Sequence, residues 1–123
     1  MVRSLNYNSA TESITVTATA GGASSNVVYT CPNFYDAIVT FLHISNGAAQ
    51  TDNVFIQWYH KEDNAYYTIL NNKSIAGNDV YNMITGDRLY LHAGDKITAF
   101  NGGGNNLGVT VSVEEHYNPT RQF

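Results

Sequence analysis

The chain has 123 residues, a formal net charge of −4 and one cysteine, and only 13% of its residues are charged. This length suits one domain with one hydrophobic core. Six scattered Lys and Arg residues exclude the basic surface that nucleic-acid binding requires. The single cysteine excludes an intrachain disulfide. Since no segment resembles a signal peptide or a membrane span, we expect synthesis in the cytoplasm and no membrane partner.

Short apolar runs rich in β-branched and aromatic residues follow one another along the chain, and each ends in turn-forming residues. The predicted strands are, in order, 13–19, 26–30, 37–45, 54–60, 65–70, 88–91, 96–101 and 107–115. About eight short strands without an amphipathic helix predict an all-β fold, an antiparallel β-sandwich or jelly roll.

The pattern also predicts how the segments between these strands behave. The polar turn 61–64 should join 54–60 and 65–70 into a hairpin, and residues 71–86 should form a short strand or loop. Residues 13–115 should constitute the sandwich. Polar arms are expected at residues 1–12 and 116–123.

The longest apolar run, 37–45, is predicted to be the core strand, buried on most of both faces. Period-two alternation in this run and the others gives a predicted core. Its members are Ile38, Phe41, Leu42, Ile44, Val54, Ile56, Leu89, Leu91, Ile97, Val109, Val111 and Val113.

The reactive residue types form no catalytic or metal-binding pattern. The four histidines lie on different predicted elements, with none of the close spacing of metal ligands. Acidic residues are expected at turns and on the surface, with Asp95 capping its own turn. Cys31, which precedes Pro32, should be a small buried hydrophobe, and 102–104 a hairpin loop. We therefore predict no catalytic residue, metal or cofactor.

Aromatic residues are the strongest candidates for a binding surface. Trp58, Tyr59, Tyr66 and Tyr67 lie on the two paired strands of the predicted hairpin. Their rings could line one exposed face suited to a protein partner or a sugar, although core packing is preferred for Trp58. Isolated large side chains on the arms could dock on a neighbour. The predicted partner-binding residues are Leu5, Tyr7, Trp58, Tyr66, Tyr67, Tyr117 and Phe123.

Four short segments of the sequence recur together in one known class of protein, and they are residues 29–32, 42–46, 91–97 and 109–115. Through them, roughly residues 27–115 resemble the small β-sandwich virion proteins of tailed bacteriophages, including cyanophages. This resemblance implies a non-enzymatic decoration, fibre or tail-associated subunit of the virion. Two features depart from the pattern: the bulky Asn33-Phe34-Tyr35 after Pro32, where small residues are usual, and the length of the arms.

The expected function is therefore that of a phage virion protein, made in the host cytoplasm, which decorates the capsid as a cement subunit. A tail or fibre subunit is the alternative within the same class, and a carbohydrate-binding module is the alternative from another class. Few charged residues protect the expected sheet edges, so we also expect a homo-oligomer or an array, with a trimer as the first choice.

Overall fold

The computed structural model describes residues 10–17, 26–84, 88–103 and 107–122. These residues form nine β-strands, and they include no helix that could cross a membrane. The strands are β1 (Ala10–Thr17), β2 (Asn26–Thr30), β3 (Tyr35–Asn46), β4 (Asp52–His60), β5 (Ala65–Ile75), β6 (Asp79–Ile84), β7 (Leu89–Leu91), β8 (Lys96–Asn101) and β9 (Leu107–Tyr117).

The strands form two antiparallel sheets. The first has the order β1-β9-β3-β6, with β7 also paired to β3, and the second has the order β2-β8-β4-β5. β6 pairs with the second half of β3 and β7 with the first half, so both occupy one edge position. With β6 and β7 taken as one interrupted strand, the topology is a jelly roll. The predicted all-β sandwich is confirmed.

The core lies between the sheets and follows the alternation of the strands. In β9, for example, Val109, Val111 and Val113 are fully buried while the residues between them are half-buried. Most of the predicted core is buried, but Ile38, Phe41 and Leu89 are only partly so. A bulge between Val39 and Phe41 interrupts the register of β3 against β9. Bulges shift the alternation of inward and outward side chains, and Ala37 and Val39 are buried instead.

Two acidic residues depart from the expected turn and surface locations, since Asp52 and Glu115 are buried in strands; Asp95 is buried as well, but at the turn where it was expected. Glu115 continues the inward alternation of β9, and its carboxylate accepts a hydrogen bond from the hydroxyl of Tyr29. Tyr29 belongs to the opposite sheet, so this bond crosses the core. Burial of a carboxylate is tolerated only where such partners are present.

Several strands are longer than the sequence pattern indicates. β5 continues through Ile75, and the expected loop region after it contains β6. The predicted hairpin is confirmed, because β4 and β5 pair antiparallel from His60 and Ala65 onward. β1 begins at Ala10 and β9 ends at Tyr117, so strand pairing extends into both segments expected to be arms.

Cys31 is fully buried, as expected of a small hydrophobe. Its thiol donates to the carbonyl oxygen of Tyr35 over 3.3 Å. This local bond belongs to the connection between β2 and β3, which leads into the candidate site.

Candidate functional site

Three connections and the segment after β9 meet at one end of the jelly roll. The β2–β3 connection contacts the β7–β8 turn through two backbone hydrogen bonds, from Cys31 N to Asp95 O (2.9 Å) and from Gly94 N to Cys31 O (3.0 Å). It contacts the segment after β9 through Phe34, whose N donates to Arg121 O and whose O accepts from Asn118 N, both over 2.7 Å. This end of the molecule is therefore held by backbone bonds between segments distant in sequence.

The carboxylate of Asp95 connects the turns at this end. As predicted, it caps its own turn, accepting a hydrogen bond from His92 N over 3.1 Å. It also accepts bonds from Lys61 N (2.9 Å) and from Trp58 Nε1 (3.3 Å), and His60 Nδ1 lies 3.2 Å from it. Only 1% of Asp95 is exposed, so these donors replace water around the carboxylate. One side chain thus fixes both the β4–β5 and the β7–β8 turns.

Asp36 holds the segment after β9 against the start of β3. Its carboxylate accepts a hydrogen bond from Asn118 Nδ2 (3.0 Å), and His92 Nδ1 lies 3.2 Å away. Arg121 Nε lies 2.9 Å from Oδ1, a contact of opposite charges without hydrogen-bond alignment. Burial raises the pKa of Asp36, but the bonds from Asn118 and His92 and the charge of Arg121 outweigh this effect. The pKa is therefore below its ordinary value of 3.8.

Exposed aromatic side chains concentrate at this same end. Of the seven large hydrophobic side chains that are exposed in the described part of the chain, five are aromatic, and Val27 and Val80 are the others. Each of the five lies in or beside the connections just described. We call this end of the molecule the aromatic end, and its exposed aromatic residues are Phe34, Tyr66, Tyr67, Tyr90 and Tyr117.

The hairpin aromatics do not share the single face that the sequence suggested. Trp58 pairs with Tyr67, and Tyr59 pairs with Tyr66, across β4 and β5. Their ring centroids are 5.5 Å and 4.8 Å apart, respectively. Successive residues of a strand point to opposite faces, so the two pairs lie on opposite sides of the hairpin. Trp58 packs partly against the core, as expected.

Three clefts open at or near the aromatic end. The first, of about 240 Å³, lies over Asp95 and is lined by residues that include His60, Glu62 and Arg121. The second, of about 160 Å³, lies beside Tyr59, with Lys61 and Lys96 in its wall. The third, of about 290 Å³, lies along the start of β3 and is mostly apolar. All three are open, shallow features of the surface.

Phe34 has an unusual backbone conformation. Its φ is 69°, in the left-handed region, and its side chain is 37% exposed. This conformation costs a residue other than glycine about 1 to 2 kcal/mol, and it is a genuine outlier for a bulky one. The other three such positions among the described residues are all asparagines, namely Asn64, Asn72 and Asn78, a residue type that tolerates the region.

Of the predicted partner-binding residues, Tyr66, Tyr67 and Tyr117 are exposed at the aromatic end. Leu5, Tyr7 and Phe123 lie outside the described residues. Sequence reasoning missed Phe34 and Tyr90. The bulky triplet after Pro32 was a signal for Phe34, because it interrupts a turn where small residues are usual.

Histidines and carboxylates come together at this end, but not as metal ligands. The rings of His60 and His92 have centroids 6.3 Å apart, and each faces a different carboxylate. Within the described ranges no group of three or more His, Cys, Asp or Glu residues could hold a metal ion. What the arrangement offers is an end of the molecule where hydrogen bonds join the turns and aromatic side chains are exposed.

Comparison with protein-family models gives no match, and comparison with curated proteins gives none either. Among solved structures, the chain is similar to a pilus protein of Bacillus endospore appendages, described as a family of disulfide-linked pili. The identity is 13% over 89% of this chain and 87% of that one, with a TM-score of 0.47.

The chain is also similar to a chain of the T13 particle of infectious bursal disease virus, with 9% identity and a TM-score of 0.48. A further structure of that virus, strain Gx, gives 9% identity and a TM-score of 0.42. In both cases the similarity covers 94% of this chain and 37% of the viral chain. These values identify no family for the chain.

Proposed function

We propose that this chain is a non-enzymatic structural subunit of a phage virion, and that within the virion it decorates the capsid. The observation that supports this proposal is the aromatic end, where five exposed aromatic side chains surround a fixed set of turns. Large apolar side chains that remain exposed and concentrate at one end of a molecule favour contact with other proteins there. This feature supports binding to a protein partner and gives no support to an enzymatic reaction.

The composition of the aromatic end supports a protein partner in particular. Four of its five residues are tyrosines, which offer a large apolar area with a polar tip and are enriched at protein interfaces. The bonds of Asp95 keep the supporting turns in place before any partner arrives. Preorganisation of this kind lowers the entropic cost of binding.

The sheet edges give a second reason for assembly. β5 is an edge strand with one neighbour, β4, and its 11 residues include one charged residue, Lys73. Edge strands of monomeric proteins are usually protected by charges, and the lack of them favours association with neighbouring chains. The homo-oligomer expected from the sequence is part of this proposal, and so is location in the virion after synthesis in the host cytoplasm.

The division into residues 1–12, 13–115 and 116–123 also remains a proposal, with the outer segments as anchors to neighbouring virion proteins. Asn118 and Arg121 are bonded to Phe34 and Asp36, so anchoring by the C-terminal segment would use its exposed side chains, such as Tyr117. Removal of residues 1–9 alone tests the N-terminal anchor without removing any residue of β1. Incorporation at the level of the full chain would exclude this role.

The main test is cryo-electron microscopy of particles of the phage that encodes the chain. A decoration subunit should appear on the outside of the capsid, whereas a tail or fibre subunit should appear at the tail. The double variant Tyr66→Ser, Tyr67→Ser should incorporate poorly, while Val80→Ser, which changes an exposed side chain outside the aromatic end, should incorporate normally. Equal incorporation of both variants, or absence of the chain from the particle, would contradict the proposal.

A carbohydrate-binding module is the second candidate, and one observation favours it. The exposed ring of Tyr66 lies beside Tyr59, and the neighbouring cleft of about 160 Å³ is also lined by Thr30, Lys61 and Lys96. A ring for stacking next to hydroxyl and ammonium groups suits a sugar. A glycan array probed with the purified chain and with Tyr66→Ser separates the candidates. Binding that this substitution abolishes would support the module.

A further inference from the structure

One row of side chains crosses the outer face of the second sheet at the aromatic end. Thr30 of β2 and Tyr59 of β4 both pair with Lys96 of β8, one from each side. Tyr66 of β5 pairs with Tyr59 and completes the row. Directly opposed residues of paired strands project to the same face. Ile97, which follows Lys96 in β8, is fully buried in the core, so the row faces outward.

The rings of this row are held in place. The ring centroids of Tyr59 and Tyr66 are 4.8 Å apart, and Lys96 Nζ lies 5.4 Å from the ring centroid of Tyr59. The hydroxyl of Tyr59 donates a hydrogen bond to Asn64 Oδ1 over 2.5 Å. Tyr59 is 9% exposed, whereas Tyr66 is 54% exposed. Tyr66 is therefore the ring on which a ligand can stack, and Tyr59 supports both of its neighbours.

The cleft beside this row has two lysines in its wall and no acidic residue. Its lining consists of Thr30, Tyr59, Lys61, Gly94 and Lys96. Neither lysine forms an ion pair with any residue that the structure describes. The whole chain has ten acidic residues and six Lys and Arg residues, so two unpaired lysines in one cleft stand out. Like charges that share a site disfavour each other, and an anion between them relieves this repulsion.

The acidic residues of the surrounding turns are directed elsewhere. The β4–β5 and β7–β8 turns contain three of them, and the β2–β3 connection contains none. Asp95 is 1% exposed, and the donors described above surround its carboxylate. Asp63 accepts a hydrogen bond over 3.0 Å from the hydroxyl of Tyr67, on the opposite side of the hairpin from Tyr66. Glu62 lines the cleft over Asp95, so the charge of the cleft beside Tyr59 comes from its lysines.

We propose that this cleft and the ring of Tyr66 bind an acidic saccharide. Its carboxylate lies between the ammonium groups of Lys61 and Lys96, and a sugar ring of the same ligand stacks on Tyr66. The row crosses four strands and is roughly 14 Å long, enough for more than one six-membered ring. The inference rests on the second candidate function, the carbohydrate-binding module, and it specifies the class of ligand.

The lining of the cleft favours a saccharide over an acidic peptide. Peptides that bind to a sheet or a groove are anchored by apolar side chains in pockets. No aliphatic side chain lines this cleft. The exposed hydroxyl of Thr30 instead offers a hydrogen-bonding group next to a stacking ring, which is the combination that sugars use.

A glycan array tests the charge preference directly. The array presents oligosaccharides that contain galacturonate, glucuronate or sialic acid, each beside its carboxyl-reduced, neutral counterpart. The purified full chain should bind at least one acidic oligosaccharide more tightly than its counterpart. This preference should decrease as the salt concentration rises, because salt screens exposed charges.

Two sets of variants identify the groups responsible. The double variant Lys61→Gln, Lys96→Gln should weaken binding of the acidic oligosaccharide about 10-fold and change binding of its neutral counterpart much less. The matched control is Lys73→Gln, because Lys73 is exposed near the other end of β5 and its ammonium lies over Tyr81. It should bind like the wild type. Tyr66→Ser should weaken binding of both members of the pair.

The outcomes separate this inference from the proposed functions. A preference for acidic oligosaccharides that survives in the double lysine variant, or an equal loss in Lys73→Gln, would overturn the inference. Equal binding of acidic and neutral members that depends on Tyr66 would also overturn it, but would support the carbohydrate-binding module. Absence of binding to every glycan would overturn both. Capsid decoration is measured on particles, so none of these results decides it.

Discussion

The buried carboxylate of Asp95 allows the sharpest prediction about how the aromatic end is held. In Asp95→Ala, the N–H groups of Lys61, His92 and Trp58 lose their acceptor. A buried donor left without an acceptor costs about 1 to 3 kcal/mol. These donors lie near the end of the molecule, where water can enter, so we take about 1 kcal/mol for each. The expected loss is about 3 kcal/mol.

Thermal unfolding followed by circular dichroism measures this loss. For a chain of 123 residues, about 3 kcal/mol corresponds to a decrease in Tm of roughly 10 °C. The matched control is Asp79→Ala, because Asp79 is exposed and accepts only the neighbouring Val80 N–H among the bonds described. It should change stability by less than about 0.5 kcal/mol. A Tm decrease below about 2 °C for Asp95→Ala would refute the reasoning that this carboxylate holds the turns together.

Three further changes test the core, the acid response and one tight turn. Leu42→Ala should lower the free energy of unfolding by about 2 to 5 kcal/mol, because Leu42 is fully buried. A decrease below about 0.5 kcal/mol, measured by urea unfolding, would place Leu42 outside the core. Because the pKa of Asp36 is lowered from 3.8 in the folded chain, its ionised carboxylate stabilises the fold at pH values above 3.8. The wild type should therefore be more stable than Asp36→Asn at neutral pH, and the difference in the free energy of unfolding should shrink as the pH falls below 3.8. A difference that is constant from about pH 7 to about pH 2 would contradict this prediction. Gly77→Ala should destabilise the fold by about 1 to 3 kcal/mol, since its Cβ would lie 2.1 Å from Ala49 O. The control Gly47→Ala should not destabilise it, because no atom lies within 4 Å of the added Cβ. Equal Tm values for the two variants would show that the turn at Gly77 adjusts.

Alternation along the strands was sufficient to predict the fold class and most of the core. It failed at Ile38, which alternates in step with Leu42 and Ile44, because a bulge in β3 shifts the register, and nothing local in the sequence specifies that shift. Phe41 directly precedes the buried Leu42, so alternation places it on the other face of the strand. Burial of Glu115 could have been predicted, since it continues the period of Val111 and Val113. Its bond to Tyr29 could not, because the partner belongs to the other sheet.

Part of the candidate site could also be predicted, namely the features that depend only on neighbouring residues in the sequence. Adjacent residues of a strand face opposite sides, so the separation of Tyr66 from Tyr67 follows from their positions in the sequence. The additional partners of Asp95 depend on two turns that are distant in sequence. The left-handed φ of Phe34 depends on its bonds to the segment after β9. Long-range contacts of this kind leave no periodic signal in the chain.

The pairing of β1 with β9 places a constraint on how the chain is made. Ala10 pairs with Glu115 and Thr17 with Gly108, so the first strand gains its neighbour only after almost all of the remaining chain has been synthesised. At about 5 to 20 residues per second, this delay is roughly 5 to 20 s. β3 also lacks β9, its main neighbour, during most of that time. Newly made chains therefore expose unpaired strands for seconds, and slower synthesis or higher temperature should increase aggregation more than it does for folds built from local contacts.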